Sequence, residues 1–263
     1  MTKKLTITTI KKSKGERKLT MITAYDALFA KLFDPIADII LVGDSLNMSF
    51  NGKEDTLSIT LDEMIYHTQA VSKGAKGTFI ICDMPFGTYT TKQRALECAL
   101  KVYQQSSADA IKIEGGIDRA DTIRYLVDQG IAVCGHIGLL PQSVRAEGGY
   151  KVKGKDEESA LSLIEDAKAV EEAGAFCIVV EGVKAHVATE IAKSVAVPVI
   201  GIGAGNGVDG QVLVFSDMLG LFEDFTPKFV KKYLDGAALV KSAVRTYKKE
   251  VESGEFPDEI HTY

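Results

Sequence analysis

The stretch DIILVGDSLNM, Asp38–Met48, carries four large apolar residues in a row, Ile39 to Val42, then a glycine, then a carboxylate at Asp44. A strand with one wet face alternates apolar and polar residues, whereas a strand covered on both faces reads as an unbroken apolar run. Residues 39–42 are of the second kind. They end by placing an acid at the mouth of their own core. Alone, Asp44 reads equally well as the cap of a following helix or turn. What decides between capping and chemistry is whether other runs end in the same way.

Seven further runs have the same character: LTMITA (19–24), FIICDM (79–84), AIKIEG (110–115), IAVCGHIG (131–138), AFCIVVEG (175–182), VPVIGIGAG (197–205) and QVLVFSD (211–217). Helical patterns lie between most of them. TLDEMIYHTQAVSKGA opens on a capping box, Thr60 with Glu63. TKQRALECALKVYQQS puts Ala95, Ala99 and Val102 on one face, and the helices after Asp118 and Asp156 end at Gly130 and Gly174, the residue type that tolerates a left-handed terminus. Eight strands joined by crossover helices predict an α/β protein: a single (β/α)8 TIM barrel over residues 1–263, about the usual length for that fold. A C-terminal helical segment is expected at about 226–251, with Thr226 as N-cap and Pro227 at N1. Only about five residues separate the last two runs, too few for an ordinary crossover helix. Either that helix is a single turn or the strand limits lie elsewhere, and a doubly wound open sheet is the competing architecture.

Composition narrows the function classes. The 46% hydrophobic and 25% charged content is that of a folded protein rather than a disordered one. The net charge of −5, with no basic block beyond KKSKGERK, argues against a nucleic-acid partner. No apolar run reaches the ~20 residues that span a bilayer, and residues 1–12 lack the apolar core of a signal peptide, so a cytoplasmic location and no membrane partner are expected. The cysteines at 82, 98, 134 and 177 have no C-x-x-C spacing, which predicts reduced thiols rather than zinc ligands or disulfides.

Strand alternation then assigns faces. In AIKIEG the isoleucines share one face, so Lys112 and Glu114 point together into the barrel. Asp83 is in phase with Ile81, Asp44 with Val42, His136 with Cys134 and Glu181 with Val179. Five consecutive strands thus end on ionisable groups aimed at one volume, at the end of the barrel where catalysis sits. A structural ion-pair cluster of Lys112, Glu114 and an Asp is the bland alternative. Four potential anions against Lys112 and His136 call for a cation. Oxygen-only ligands favour Mg2+, which takes one or two carboxylates and keeps open positions. A 2-keto acid would chelate it, with Lys112 offsetting the substrate carboxylate, the metal withdrawing charge from the ketone, and Glu181, on a separate strand, serving as the base.

The motifs MITAYD, LVGDSLNM, CDMPFGTY, IKIEGG, GHIGLLPQS, GGYKVKGK, IVVEGV, IGIGAG and DGQVLVFSDMLGL, in order from about Ile7 to Tyr233, resemble the ketopantoate hydroxymethyltransferase family. That resemblance implies a barrel of the phosphoenolpyruvate mutase-like type and Mg2+. It implies transfer of the methylene of 5,10-methylenetetrahydrofolate to C3 of 3-methyl-2-oxobutanoate, giving 2-dehydropantoate and tetrahydrofolate, in pantothenate biosynthesis. Carried over by position, it implies metal ligands at Asp44, Asp83 and Glu114, keto-acid contacts at Asp44, Ser45, Asp83 and Lys112, a proton acceptor at Glu181, and a site-lining position at His136. It also implies a cytoplasmic homodecamer. A Mg2+-dependent lyase or mutase acting on related acids is the alternative activity, though no K-K-C-G-H-like loop occurs here. A non-enzymatic oligomeric scaffold is the third reading.

Other features carry expectations of their own. Asn51-Gly52 predicts a tight hairpin within the long connection 44–60. The connection 139–156 reads as a lid or as a surface or oligomer-contact loop. GIGAGNGVDG (201–210) reads as close backbone packing, a wall of the folate pocket, or a phosphate site. Tyr25 lines the mouth or Asp26 caps a turn, and Asp217, ending the eighth run, is a mouth acid or a cap. Met84 and Phe86 are expected as apolar walls, and His67 and His186 as surface or interface residues.

Overall fold

A computed structural model describes residues 4–223 and 225–263. The chain divides into two compact units, Met1–Val214 and Phe215–Tyr263. In the first, eight parallel strands close into a barrel in sequence order: β1 Leu19–Thr23, β2 Ile39–Val42, β3 Phe79–Asp83, β4 Ala110–Glu114, β5 Val133–Gly138, β6 Cys177–Glu181, β7 Val199–Ile202 and β8 Gly210–Leu213. β1 pairs with β8, so no edge is left open. The open-sheet alternative is thereby excluded. The helices of this unit are α1 Ile7–Lys12, α2 Ala27–Phe33, α3 Leu46–Ser49, α4 Leu61–Gly74, α5 Lys92–Gln105, α6 Ile117–Asp128, α7 Val144–Glu147, α8 Glu157–Glu172 and α9 Ala185–Ser194.

Local sequence accounts for most of these elements. The expected capping box closes α4: the Thr60 N–H donates to Glu63 Oε2 at 2.7 Å and the Glu63 N–H to Thr60 Oγ1 at 3.2 Å. Asp26 caps α2 through the Leu28 and Phe29 N–H groups. Ala95, Ala99 and Val102 form the buried stripe of α5. The barrel interior is a dry cluster that includes Leu19, Ile39, Phe79, Ile81, Ala110, Cys134, Phe176 and Val179, closed at one end by Ile10 of α1. The Phe79 and Phe176 rings meet edge to face at 5.7 Å. The cysteines are free, three buried and Cys98 partly so.

Two expectations change. The Asn51-Gly52 pair does not make a hairpin, because no strand flanks it. Leu46–Ser49 is a helical turn whose end is finished by Gly52 at φ +63°. The connection from β7 to β8 contains no helix at all: β7 ends at Ile202 and β8 begins at Gly210, too close for a crossover helix. Residues 203–209 return in seven steps, and Asp209 ties them down by accepting from the Val199 N–H at 2.9 Å and Lys14 Nζ at 2.6 Å. A Cβ at Gly207 would lie 2.0 Å from Thr189 Oγ1. The glycine-rich stretch is therefore explained by close packing.

In the second unit α10 spans Phe215–Met218 and α11 Gly236–Ser253. The long helix starts nine residues later than Thr226-Pro227 suggests. Asp217 does not end a strand but lies in the single turn α10.

Candidate active site

The charged residues converge because each lies on the inward face in the last residues of its strand. Asp83 follows Ile81 and pairs in register with Lys112, Glu114 pairs with His136, and Glu181 with Gly138. All but Glu181 are essentially withdrawn from water. Lys112 Nζ lies 3.1 Å from Asp83 Oδ1 and 3.1 Å from His136 Nδ1. The imidazole stands between two acids, with Nδ1 3.4 Å from Glu114 Oε1 and Nε2 3.4 Å from Glu181 Oε2.

Asp44 joins this group by a different route from the one strand phase suggests. The inward residues of β2 are Ile39 and Leu41, so Val42 faces the helices. The chain turns after β2 at Gly43, where an added Cβ would meet Ser45 Oγ at 2.9 Å. That turn carries the Asp44 N–H to Asp83 Oδ2 at 3.1 Å and buries the Asp44 carboxyl. Ser45 follows, its Oγ 2.9 Å from the Tyr25 hydroxyl. Tyr25 thus reaches the site through Ser45, while its carbonyl contacts the half-buried His67 Nδ1 at 2.7 Å. His186 is exposed, as expected.

Burial, then repulsion from Asp83 and Glu114, pushes the Asp44 carboxyl up to about 8. Burial also raises Asp83, although Lys112 opposes it. Burial works against the Lys112 ammonium, but Asp83, Glu114 and Asp44 outweigh it and hold Lys112 well above its ordinary range. His136 is pushed up to about 9: burial and Lys112 lower it, and the hydrogen bonds to Glu114 and Glu181 prevail. Glu114 is held low despite burial, chiefly through His136. The site therefore has two cations set among acids that crowd one another.

Two residues not singled out in the sequence complete the cluster. Gln142, buried in the connection after β5, donates its backbone N–H to Glu114 Oε2 at 3.0 Å and its Nε2 to Asp44 Oδ2 at 2.8 Å and to the Met84 carbonyl at 3.0 Å. Its Oε1 accepts from the Tyr89 hydroxyl. A neutral side chain on a loop gives no charge or periodicity signal; its only local cue is Pro141, which starts a turn at residues 141–143. Met84 is buried beside the acids, whereas Phe86 is largely exposed and borders a cleft of about 100 Å³ with Tyr89, Glu114, Arg119 and Gln142. The two long connections are joined across this end of the barrel by Arg145, whose Nη2 donates to Asp55 Oδ2 at 2.9 Å.

The family model described as ketopantoate hydroxymethyltransferase matches residues 4–259. The chain belongs to the ketopantoate hydroxymethyltransferase family. A relative from Sulfurimonas denitrificans named 3-methyl-2-oxobutanoate hydroxymethyltransferase is 70% identical over the full length of both chains. One of the same name from Wolinella succinogenes is 62% identical, covering 99% of this chain and 100% of that one. Membership in the ketopantoate hydroxymethyltransferase family makes this chain a transferase. Among solved structures, phosphonopyruvate hydrolase superposes with a TM-score of 0.64 at 13% identity, over 98% of this chain and 93% of that one. A 2,3-dimethylmalate lyase of the phosphoenolpyruvate mutase/isocitrate lyase superfamily gives 0.61 at 17% identity, over 97% and 91%. These likenesses show the fold: this ketopantoate hydroxymethyltransferase family member has the phosphoenolpyruvate mutase-like barrel.

The donor set fits a hard divalent cation. Its carboxylates offer oxygen alone, and the buried Asp83 Oδ1 and Glu114 Oε1 meet only the cations Lys112, at 3.1 Å, and His136, at 3.4 Å. Among the described residues no three side chains close on one point as a finished protein cage. Mg2+ asks for no such cage, since it keeps several waters and uses one or two carboxylates.

Proposed function

We propose that this chain is a Mg2+-dependent 3-methyl-2-oxobutanoate hydroxymethyltransferase. In the reaction the methylene of 5,10-methylenetetrahydrofolate joins C3 of the keto acid, and water supplies the new hydroxyl, so that 2-dehydropantoate and tetrahydrofolate leave. The observation that carries this reading is the ring of four acids, three of them buried, around only two cations, Lys112 and His136. Isolated buried charges cost several kcal/mol each, and a ring with a deficit of cations is kept for a bound one. The solved phosphonopyruvate hydrolase of the same fold is described as a complex with oxalate and Mg2+, a dicarboxylate with the same adjacent pair of oxygens as a 2-keto acid.

Asp44, Asp83 and Glu114 would hold the ion, directly or through its waters. When bound, Mg2+ supplies Lewis acidity at the keto oxygen, which makes the neighbouring C3–H acidic. Lys112, fixed against Asp83, offsets the substrate carboxylate, and Ser45, oriented by Tyr25, meets the same end of the keto acid. Glu181 is the most exposed of the acids, with its side chain 20% accessible, so it stands where the cluster opens toward substrate. It removes the C3 proton, and His136, 3.4 Å from its Oε2, steadies it. The carbon nucleophile then attacks the folate methylene. The proposal extends to the setting the family resemblance implies: small-molecule substrates, a homodecamer and the cytoplasm. No helix of the described residues is long and apolar enough to cross a membrane.

The reaction divides at the proton transfer, which needs no folate. In D2O with Mg2+ and 3-methyl-2-oxobutanoate, the protein is expected to exchange deuterium into C3, and to form 2-dehydropantoate once 5,10-methylenetetrahydrofolate is added. Absence of exchange with Mg2+ present, or turnover of phosphonopyruvate or 2,3-dimethylmalate without folate, contradicts this reading.

A further inference from the structure

We propose that Gln142 is the positioning residue of the ion site: it clamps one oxygen of Asp44 and one of Glu114 so that these carboxylates are presented to the cation. The inference rests on the reading above of where the ion binds.

The two acids come from different places, Asp44 from the turn after β2 and Glu114 from the end of β4, and nothing in the strand ladder joins them. Gln142 joins them. Its backbone N–H reaches Glu114 Oε2 at 3.0 Å and its Nε2 reaches Asp44 Oδ2 at 2.8 Å. The orientation of the amide is fixed independently of the acids. The Met84 carbonyl, 3.0 Å away, can only accept, so the atom facing it is nitrogen, and the Tyr89 hydroxyl donates to the opposite oxygen. Tyr89 is itself buried, with Arg119 5.8 Å over its ring. Every polar group of the Gln142 amide thus has a partner that specifies it.

The consequence lies in what is left over. Each carboxylate has one oxygen held by Gln142, and the other oxygen of Glu114, Oε1, meets only His136 Nδ1, at a long 3.4 Å. A carboxylate gripped at one oxygen keeps its rotamer and offers the other. Asp44 and Glu114 repel one another, so without the clamp they are expected to turn apart. Partners that orient ligands in this manner typically change metal affinity by roughly 10–100-fold when removed.

The test is titration of the metal-free full chain with Mn2+, following free Mn2+ by electron paramagnetic resonance, for the natural protein and for Gln142→Ala, Tyr89→Phe and Asp83→Asn. Gln142→Ala is expected to bind about 10–100-fold more weakly. Tyr89→Phe, which keeps the amide but removes its orienting hydroxyl, should weaken binding in the same direction and by less, and raising Mn2+ should restore its kcat. A role in loop packing alone lowers the melting temperature of Gln142→Ala without moving Mn2+ affinity. If Gln142→Ala does not fold, Tyr89→Phe carries the test. Affinities of the Gln142 and Tyr89 variants equal to or tighter than that of the natural protein, with Asp83→Asn weak, overturn this inference alone. If the natural protein binds no better than Asp83→Asn, the ion site itself is wrong and this inference goes with it.

Discussion

The same strands build two unlike halves of the barrel interior. Toward their starts they contribute Phe79 and Ile81, Ala110, Cys134, and Cys177 with Val179, which form a dry apolar cluster. One or two alternations further along, β3 to β6 contribute Asp83, Lys112, Glu114, His136 and Glu181. Apolar burial contributes roughly 25 cal/mol per Å², whereas desolvating a charge costs several kcal/mol even when it is paired. The lower half therefore stabilises the fold, and the mouth draws on that stability to hold charges at fixed places. Because both halves lie on the inward phase of continuous strands, a rigid lower layer is what gives the mouth its precision.

The sharpest way to break this comparison is to change one residue in each half. Glu181→Gln is expected to slow C3 exchange by about 10²–10⁴-fold with the melting temperature nearly unchanged. Phe79→Ala, at the edge-to-face contact with Phe176, should cost about 3–5 kcal/mol of stability, read by urea unfolding. If Glu181→Gln unfolds the barrel, or Phe79→Ala leaves stability intact, the division of labour is wrong.

A smaller effect sharpens the picture of the mouth. Asp44 is pushed up to about 8 and His136 to about 9, against ordinary values of about 3.9 and 6.5. A group raised by folding contributes stability that is complete below its unfolded pKa and is lost as pH rises through its folded pKa. Both groups therefore act in the same sense. Metal-free protein should lose stability from about pH 5 to pH 9, by at least the 2–4 °C that corresponds to about 1 kcal/mol in a domain of this size. Asp44→Asn should flatten that slope, and Mg2+ should oppose it. A melting temperature that rises across the same range contradicts the electrostatics of the site. The smallest effect lies outside both halves. Thr60→Ala removes the capping box of α4 and should cost about 1 kcal/mol with Mn2+ affinity unchanged.

The barrel was legible because parallel strands covered on both faces leave unbroken apolar runs, and β1 to β8 lie within or at the edge of the runs so marked. Strand phase also placed Asp83, Lys112, Glu114, His136 and Glu181, since regular alternation carries straight to the last residue of a strand. Asp44 shows where phase stops working: it lies beyond the strand, and its position depends on a turn at Gly43 rather than on alternation. Gln142 and Tyr89 escaped notice because neutral side chains on loops act through geometry made only when distant segments meet. Asn51-Gly52 misled because a left-handed glycine serves a helix end as well as a hairpin, and the dipeptide alone does not say which.

The central claim, that acids from separate strands gather around one divalent ion, is tested most directly by soaking crystals with Mn2+ and 3-methyl-2-oxobutanoate and collecting anomalous data at the manganese edge. The account predicts one strong peak among Asp44, Asp83 and Glu114, with the keto acid's carboxylate and ketone oxygens facing it, Lys112 beside that carboxylate, and Glu181 within reach of C3. A peak elsewhere, or a keto acid bound in the mouth with no metal beside it, would contradict it.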